Sequence, residues 1–218
     1  DRIPPSAMFG LEVTDLCYAV HVRRLLAYAR NRQILRSVSL SIPEGVTVGL
    51  IGESGSGKST LAALISRFYD PDSGSIEFDG HALNTYTLSS IRRNTALVLQ
   101  DVHLLNDSIL NNITLRNPKF SESYVMEKIH ELQLEPFIRN FKNGIHFNVQ
   151  ERGQSLSSGQ RQLIAFMRAY VFNPDIFILD EATATLDSYT EHYIQSALKT
   201  ILKQRTCFII AHRLSTVQ

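Results

Sequence analysis

Three glycines, and then a lysine followed by two hydroxyl residues, come after an apolar run in the first third of the chain. The apolar run is VTVGLI at residues 46–51, and GESGSGKST follows it at residues 52–60. Glycines let a backbone curl so that successive N–H groups point inward, and such a curl binds anions. Lysine and serine at the end of the curl, ahead of an apolar helix, are the residues that bind nucleotide phosphates and Mg²⁺. The pattern therefore predicts a phosphate-binding loop.

Each part of this loop has its own expected contact. Lys58 would reach the β- and γ-phosphates, Ser59 would ligate Mg²⁺ and Thr60 would contact the α-phosphate. The remaining residues would surround the phosphates, assisted by the positive N-terminal end of the following helix. These residues are Gly52, Ser54, Gly55, Ser56 and Gly57. A flexible Gly/Ser turn is the alternative, but it does not explain a lysine and a hydroxyl residue in this register between strand and helix.

Two acidic residues follow a second apolar run. IFIL at residues 176–179 is succeeded by Asp180 and Glu181. Asp180, at the C-terminal end of a buried strand, is placed to organise Mg²⁺, and Glu181 beside it is placed to polarise an attacking water. Capping of a following helix is the alternative role for two such acids. Together with the phosphate loop, the pair predicts nucleotide hydrolysis.

Short apolar runs predict the strands that position these groups. The runs are VTVGLI (46–51), ALVL (96–99), IFIL (176–179) and CFIIA (207–211). Strands buried on both faces of a parallel sheet have this composition. Three earlier segments alternate more and predict an antiparallel layer, namely LEVTDLCYAV (11–20), ILRSVSLSI (34–42) and SIEFDG (75–80). The predicted fold is α/β: a phosphate-loop core with a mostly parallel sheet and an N-terminal antiparallel β layer.

Helices are predicted between the strands. The S-Y-T-E sequence at Ser188 is a capping box ahead of apolar residues at helical spacing. Residues 121–134 place Val125, Ile129 and Leu132 on one apolar stripe. Since the region between about 101 and 172 has no clear strand pattern, we expect it to be an inserted helical subdomain.

Further motifs resemble those of the nucleotide-binding domains of ATP-binding cassette (ABC) proteins, in the family's order and over nearly the whole chain. LSSGQRQLIAFMRA at 156–169 resembles the signature motif that identifies this family. Gln100 resembles the Q-loop residue, ATLD at 184–187 the D-loop, and His212 the H-loop histidine. QERG at 150–153 is similar to the X-loop of the exporter branch. The chain is identified as similar to an exporter-type ABC domain.

This resemblance implies a composite ATP site. Two such domains would face each other head to tail, each ATP lying between the phosphate loop of one and the signature of the other. The signature and D-loop residues expected at ATP are Ser157, Gly159, Gln160 and Asp187. The expected Mg²⁺ ligands are Ser59, Gln100 and Asp180, with Glu181, Lys58, Gln100 and His212 as the catalytic set; His212 would sense the γ-phosphate. ATP and Mg²⁺ are therefore the expected cofactors.

The sequence departs from the family pattern in two places. Ser158 replaces the first of two usual signature glycines, and it would carry strain if that position required a positive φ. The interval from Tyr18 to Ile34 is also longer than the family pattern predicts. Tyr18 is our choice for the aromatic residue that stacks on adenine, with Tyr28 as a competitor, and either residue can instead pack on the core.

Composition limits the partners that we expect. The chain has 218 residues and a net charge of +1, so no general attraction to nucleic acid is encoded. No apolar run approaches the roughly 20 residues that cross a bilayer. Residues 1–8, with Pro4 and Pro5, are expected to be a linker from a preceding membrane domain, and residues 9–218 the ABC domain. The end at Gln218, soon after the H-loop, suggests truncation relative to the family.

The expected function is the ATP-hydrolysing motor of an ABC exporter at the cytoplasmic face of a membrane. Its expected partners are a second nucleotide-binding domain, identical or related, and a transmembrane domain of the same full-length chain. Two alternatives remain open from the sequence. One is an ABC ATPase not linked to transport, and the other is a regulatory module that clamps ATP and hydrolyses it weakly, which only Ser158 favours.

Overall fold

The computed structural model describes residues 11–20, 32–180, 188–203 and 205–211. Its contacts divide the chain into two compact units. The first unit contains residues 1–95, 175–178 and 204–218, and the second contains residues 96–174 and 179–203.

The described strands and helices have the following bounds. The strands are β1 (Leu11–Val20), β2 (Arg32–Ile42), β3 (Thr47–Ile51), β4 (Ser73–Phe78), β5 (His81–Ala82), β6 (Thr95–Val98), β7 (Ile176–Asp180) and β8 (Thr206–Ala211). The helices are α1 (Lys58–Ile65), α2 (Leu88–Asn94), α3 (Ile109–Thr114), α4 (Glu122–Glu131), α5 (Glu135–Arg139), α6 (Ser158–Val171) and α7 (Ser188–Ile201). Short 3₁₀ turns occur at Leu83–Thr85, Gly144–His146 and Glu151–Gly153.

The predicted antiparallel layer is confirmed. It is a four-stranded sheet in the order β2-β1-β4-β5. β1 pairs antiparallel with both β2 and β4. Alternation in β1 places Leu11 and Val13 in the core, because successive side chains of a strand point to opposite faces, and a register shift after Val13 brings Leu16 into the core as well.

The four apolar runs also form strands, as predicted. They make a second four-stranded sheet in the order β3-β8-β7-β6. β3 and β8 are parallel, with Thr47 opposite Cys207 and Ile51 opposite Ala211. Residues 176–179 of β7 are all buried, which explains why this strand has no polar residue before Asp180. The carboxyl ends of β3 and β7 lead directly into the phosphate-loop sequence and the acidic pair.

Helices dominate the second unit. The predicted stripe on α4 is confirmed, since Val125, Ile129 and Leu132 are each fully buried. Serine side chains cap three of the helices by accepting a backbone N–H in the first turn. An apolar side chain at the same position has no oxygen that could accept this bond. The capping serines are Ser108 for α3, Ser121 for α4 and Ser157 for α6.

Residues 101–172 are described throughout, and they contain α3 to α6 with only an isolated β-bridge between Ser108 and Asn148. This helical content agrees with the expectation for the middle of the chain, while the domain bounds stay a prediction. Among the residues that the structure describes, no helix is long and apolar enough to cross a membrane.

Candidate functional site

The phosphate-loop sequence forms the connection between β3 and α1. β3 ends at Ile51 and α1 begins at Lys58. Gly55 and Gly57 have φ angles of 80° and 95°, the left-handed region that glycine adopts without steric cost. The Ser56 N–H donates to the Glu53 carbonyl at 3.2 Å and closes the turn. The curl that the glycine spacing predicts is therefore present in the backbone.

Gly57 is required by a close neighbour as well as by its φ angle. A Cβ atom at Gly57 would lie 2.8 Å from Leu35 Cδ2 and 3.1 Å from Ile34 Cγ2, so β2 packs directly on the loop. A Cβ at Gly55 would meet nothing within 4 Å. The two glycines thus differ: Gly55 serves backbone conformation alone, whereas Gly57 also allows the sheet to approach.

The first turn of α1 leaves its backbone N–H groups available to a ligand. Gly57 is the N-cap, and no side chain accepts a capping hydrogen bond there. The first turn contains no acidic residue that would neutralise the positive end of the helix dipole. An anion with several oxygens fits such a helix start, because each orphan N–H needs an acceptor.

The Lys58 ammonium group lies inside the loop. The residue is 7% exposed. Its Nζ donates to the carbonyls of Gly52 and Glu53, each at 2.7 Å, and to Ser56 Oγ at 3.3 Å. All three acceptors are neutral oxygens, and a largely buried ammonium is stabilised much further by a negative partner. The Lys58 side chain therefore fits a phosphate at the mouth of the loop.

The start of α1 also fits a metal ion that is bound partly by the protein and partly by the phosphates of a bound molecule. Ser59 follows Lys58 in the first turn and is exposed, so its hydroxyl oxygen is accessible. Within the described ranges, no three His, Cys, Asp or Glu side chains gather closely enough to hold a metal ion. Mg²⁺ binds proteins through one or two side chains plus substrate phosphates, which suits a serine hydroxyl beside a phosphate loop.

The signature sequence begins helix α6 in the second unit. Ser157 is its N-cap, and Ser157 Oγ accepts the Gln160 N–H at 3.2 Å while Gln160 Oε1 accepts the Ser157 N–H at 3.0 Å. This reciprocal pair is a capping box. The N–H groups of Ser158 and Gly159 lie between the two capped positions, at the positive end of a 14-residue helix. Gln160 is thus used by its own helix.

Ser158 carries no backbone strain. It is the first residue of α6 and is absent from the residues with positive φ. The position therefore has ordinary helical geometry in which serine and glycine are both allowed. The condition under which we expected strain is not met, and Ser158 is exposed, with its side chain away from the core.

The other predicted site residues lie as follows. Gln100 is exposed, two residues beyond the end of β6, and Asp180 is the partly buried last residue of β7. Tyr18 lies in β1 opposite Leu35 of β2, the residue whose side chain packs next to Gly57. Tyr28, Glu181, Asp187 and His212 lie outside the described residues.

Sequence reasoning did not single out two polar residues of the second unit, Asn112 and the partly buried Arg168. Asn112 is completely buried, and burial lowers the pKa of the Arg168 guanidinium from its ordinary value. Both residues occupy otherwise apolar faces of amphipathic helices, α3 and α6. The available signal was a polar residue whose neighbours on the same helical face are apolar, since a polar group on a buried face must find hydrogen-bond partners.

Comparisons with known proteins identify the family. Residues 35–184 match the family model described as ABC transporter. The ABC transporter ATP-binding protein YknV of Bacillus subtilis (strain 168) is 47% identical over 192 residues, covering 88% of this chain and 32% of that protein. The ATP-dependent lipid A-core flippase of Escherichia coli (strain K12) is 48% identical over 190 residues, covering 87% of this chain and 33% of the flippase.

A solved structure supports the same family assignment. The structure of a bacterial Atm1-family ABC exporter with ATP bound superposes with a TM-score of 0.84 at 35% identity, over 100% of this chain and 37% of that one. The chain belongs to the ABC transporter family, and it is an ATP-binding, ATPase-type domain of the exporter kind. It spans about a third of the length of the curated relatives that it matches.

Proposed function

We propose that this chain is the motor domain of an exporter, in which two nucleotide-binding domains close around two Mg–ATP molecules at the cytoplasmic face of a membrane. The observation that carries the proposal is the buried Lys58 ammonium beside an uncapped helix start. Both groups are cationic or dipole-positive and both lack an anionic partner in the loop. A triphosphate supplies that partner.

The phosphates are held by the loop of the first unit. Lys58 Nζ exchanges neutral acceptors for β- and γ-phosphate oxygens, while the first-turn N–H groups of α1 and the hydroxyl of Thr60 bind the inner phosphates. Gly52, Ser54, Gly55, Ser56 and Gly57 provide the surrounding backbone. Tyr18, rather than Tyr28, is the residue that we propose stacks on adenine. The pairing of Tyr18 with Leu35, whose side chain lies beside Gly57, supports this choice.

Metal binding and water activation are assigned to Ser59 in the first turn of α1 and to polar residues that follow strands in the sequence. Ser59 and Gln100 ligate Mg²⁺ and Asp180 orients it. Glu181 accepts a proton from the attacking water, and His212 donates to the γ-phosphate. Mg–ATP, when bound, supplies the phosphoryl group that is transferred to this water. The chain contributes position and charge, which are what phosphoryl transfer demands.

The second half of each site comes from a facing domain. The N–H groups of Ser158 and Gly159 and the hydroxyl of Ser157 are directed at the γ-phosphate held by the partner, while Gln160 keeps this helix start rigid through the capping box. Asp187 of the D-loop is the further residue that we assign to this interface. A twofold axis then generates two sites from one surface, with a copy of this chain or a related domain as partner.

The link to transport follows from the length of the relatives. Each matched relative is about three times as long as the aligned segment, and one of them is named a flippase. We propose that a transmembrane domain occupies the same polypeptide here and that nucleic acid is not a partner. The regulatory-clamp alternative loses its support, because the Ser158 position has ordinary helical geometry.

The test is steady-state ATP hydrolysis measured against chain concentration at saturating Mg–ATP. If each site needs two chains, turnover per chain rises in proportion to chain concentration and then reaches a plateau when dimers predominate. Phosphate release at several dilutions measures this. A turnover per chain that is constant at every dilution shows that one chain is sufficient, and absence of hydrolysis at the highest concentration contradicts the motor function.

A further inference from the structure

We propose that Asn112 and Arg168 are positioning residues for ATP hydrolysis. They fasten the segment 103–105, which begins three residues after Gln100, to helix α6, whose first turn contains Ser157. The proposal rests on the function proposed above, and it assigns roles to two residues that do not contact nucleotide. All of the contacts that carry it lie within the second unit.

Asn112 binds the segment as a neighbouring strand would. Its Oδ1 accepts the Leu105 N–H at 2.8 Å, and its Nδ2 donates to the Leu105 carbonyl at 3.0 Å. Nδ2 also donates to the Ser108 carbonyl at 3.0 Å. Residues 102–105 have no regular secondary structure, and the Leu105 carbonyl accepts the Asp107 N–H at 2.8 Å in addition to the Asn112 amide. One fully buried amide therefore fixes both polar groups of Leu105.

Arg168 ties this arrangement to α6. Its Nε donates to the Asn112 carbonyl at 2.8 Å, near the C-terminal end of α3, where helical carbonyls lack partners. Its two terminal nitrogens donate to the His103 carbonyl at 3.4 Å, and one of them also lies 3.4 Å from Asn112 Oδ1. The planar guanidinium thus spans two segments at once, which a lysine ammonium cannot do.

The segment before the signature is attached to the same loop. The Val149 N–H donates to the Asp107 carbonyl at 3.0 Å, and the Ile109 N–H donates to the Phe147 carbonyl at 2.9 Å. Ser155 Oγ then donates to the Val149 carbonyl at 3.0 Å, two residues before Ser157. The loop after Gln100 is therefore connected to the signature from both sides, through residues 147–155 and through Arg168.

These connections make a mechanical prediction. α6 is one uninterrupted helix from Ser158 to Val171, so fixing Arg168 fixes the direction of the first turn. Loosening either Asn112 or Arg168 frees Gln100 and Ser157 to take different relative positions. The phosphate loop lies in the other unit and does not depend on these bonds. Catalysis should therefore suffer while nucleotide binding by a single chain is retained.

The experiment uses Arg168→Lys, Asn112→Ala and the double variant. Arg168→Lys keeps the positive charge but loses the planar guanidinium that bonds to two segments. Arg139→Lys is the matched control, because Arg139 is exposed on α5 in the same unit. We expect ATP affinity, measured in dilute chain, to stay within about twofold of the parent, whereas kcat falls about ten- to a hundredfold, as misplacement of catalytic groups does. The double variant should be no slower than the slower single variant, since both changes release one segment.

Several outcomes overturn the inference. It is wrong if Arg168→Lys and Asn112→Ala both keep the parent kcat, or if either lowers only the thermal midpoint while kcat well below that midpoint is unchanged. Multiplying losses in the double variant contradict a shared segment. If Arg168→Lys does not fold, Asn112→Ala alone decides by the same split between affinity and kcat. A parent chain without hydrolysis overturns the proposed function itself, whereas an active parent with unimpaired variants overturns only this inference.

Discussion

Replacement of Glu181 by Gln should lower ATP turnover by about a thousandfold or more, the scale on which a positioned general base accelerates proton transfer. The amide keeps the size of the side chain but cannot accept the proton of the attacking water. ATP affinity should remain close to that of the parent, because the loop around Lys58 is unchanged. With Mg–ATP, this variant should accumulate as a closed dimer, since the γ-phosphate that joins the two chains is not removed.

Three measurements check this prediction: phosphate release, equilibrium ATP binding and molecular mass by light scattering with and without Mg–ATP. Glu191→Gln is the control, because Glu191 is an exposed glutamate on α7 whose carboxylate accepts a bond from Gln195. The control should behave as the parent in all three. If Glu181→Gln hydrolyses ATP at the parent rate, another group is the base.

Lys58→Ala should weaken ATP binding itself by about a hundredfold, which corresponds to the loss of about 3 kcal/mol from charged hydrogen bonds. The ammonium is held at the centre of the loop by the carbonyls of Gly52 and Glu53 and by Ser56 Oγ. Alanine removes the positive charge and leaves those oxygens facing the incoming phosphates. Turnover should fall further than affinity, because charge on the γ-phosphate oxygens also increases in the transition state.

Comparing the loss of ATP affinity with the loss of ADP affinity shows whether Lys58 contacts the γ-phosphate. A lysine that reaches the γ-phosphate gives a larger loss for ATP than for ADP. Lys199→Ala is the control, since Lys199 is exposed in the last turn of α7. Thermal unfolding establishes that the variant loop is folded. Unchanged ATP affinity in a folded Lys58→Ala chain would refute the phosphate contact.

Local patterns in the sequence predicted most of the elements because burial leaves a clear imprint on composition. The runs at 46–51 and 176–179 became β3 and β7, and the stripe through Val125 and Ile129 became the buried face of α4. The spacing of glycines predicted the curl before Lys58. Each of these features depends on neighbours in sequence, which a pattern can register.

Contacts between distant segments were not predictable in the same way. The approach of Leu35 to Gly57 and the bonds from Arg168 to His103 join residues far apart in the chain. The sequence ILNNIT does not distinguish Asn112 from any other polar residue, because its backbone partners Leu105, Asp107 and Ser108 are known only from the structure. The geometry of Ser158 likewise depended on where α6 begins, which the neighbouring letters alone do not fix.

The measurement that tests the composite site most directly is hydrolysis by a mixture of two impaired chains. Lys58→Ala retains the signature helix and lacks the phosphate contact, whereas Ser157→Arg retains the loop and blocks the helix start. Each folded variant alone should be nearly inactive. A one-to-one mixture should recover about a quarter of the parent turnover, because half of the dimers are mixed and each contains one intact site of two. A mixture no more active than its components, or a Ser157→Arg chain that hydrolyses ATP at the parent rate alone, would contradict a site shared between two chains.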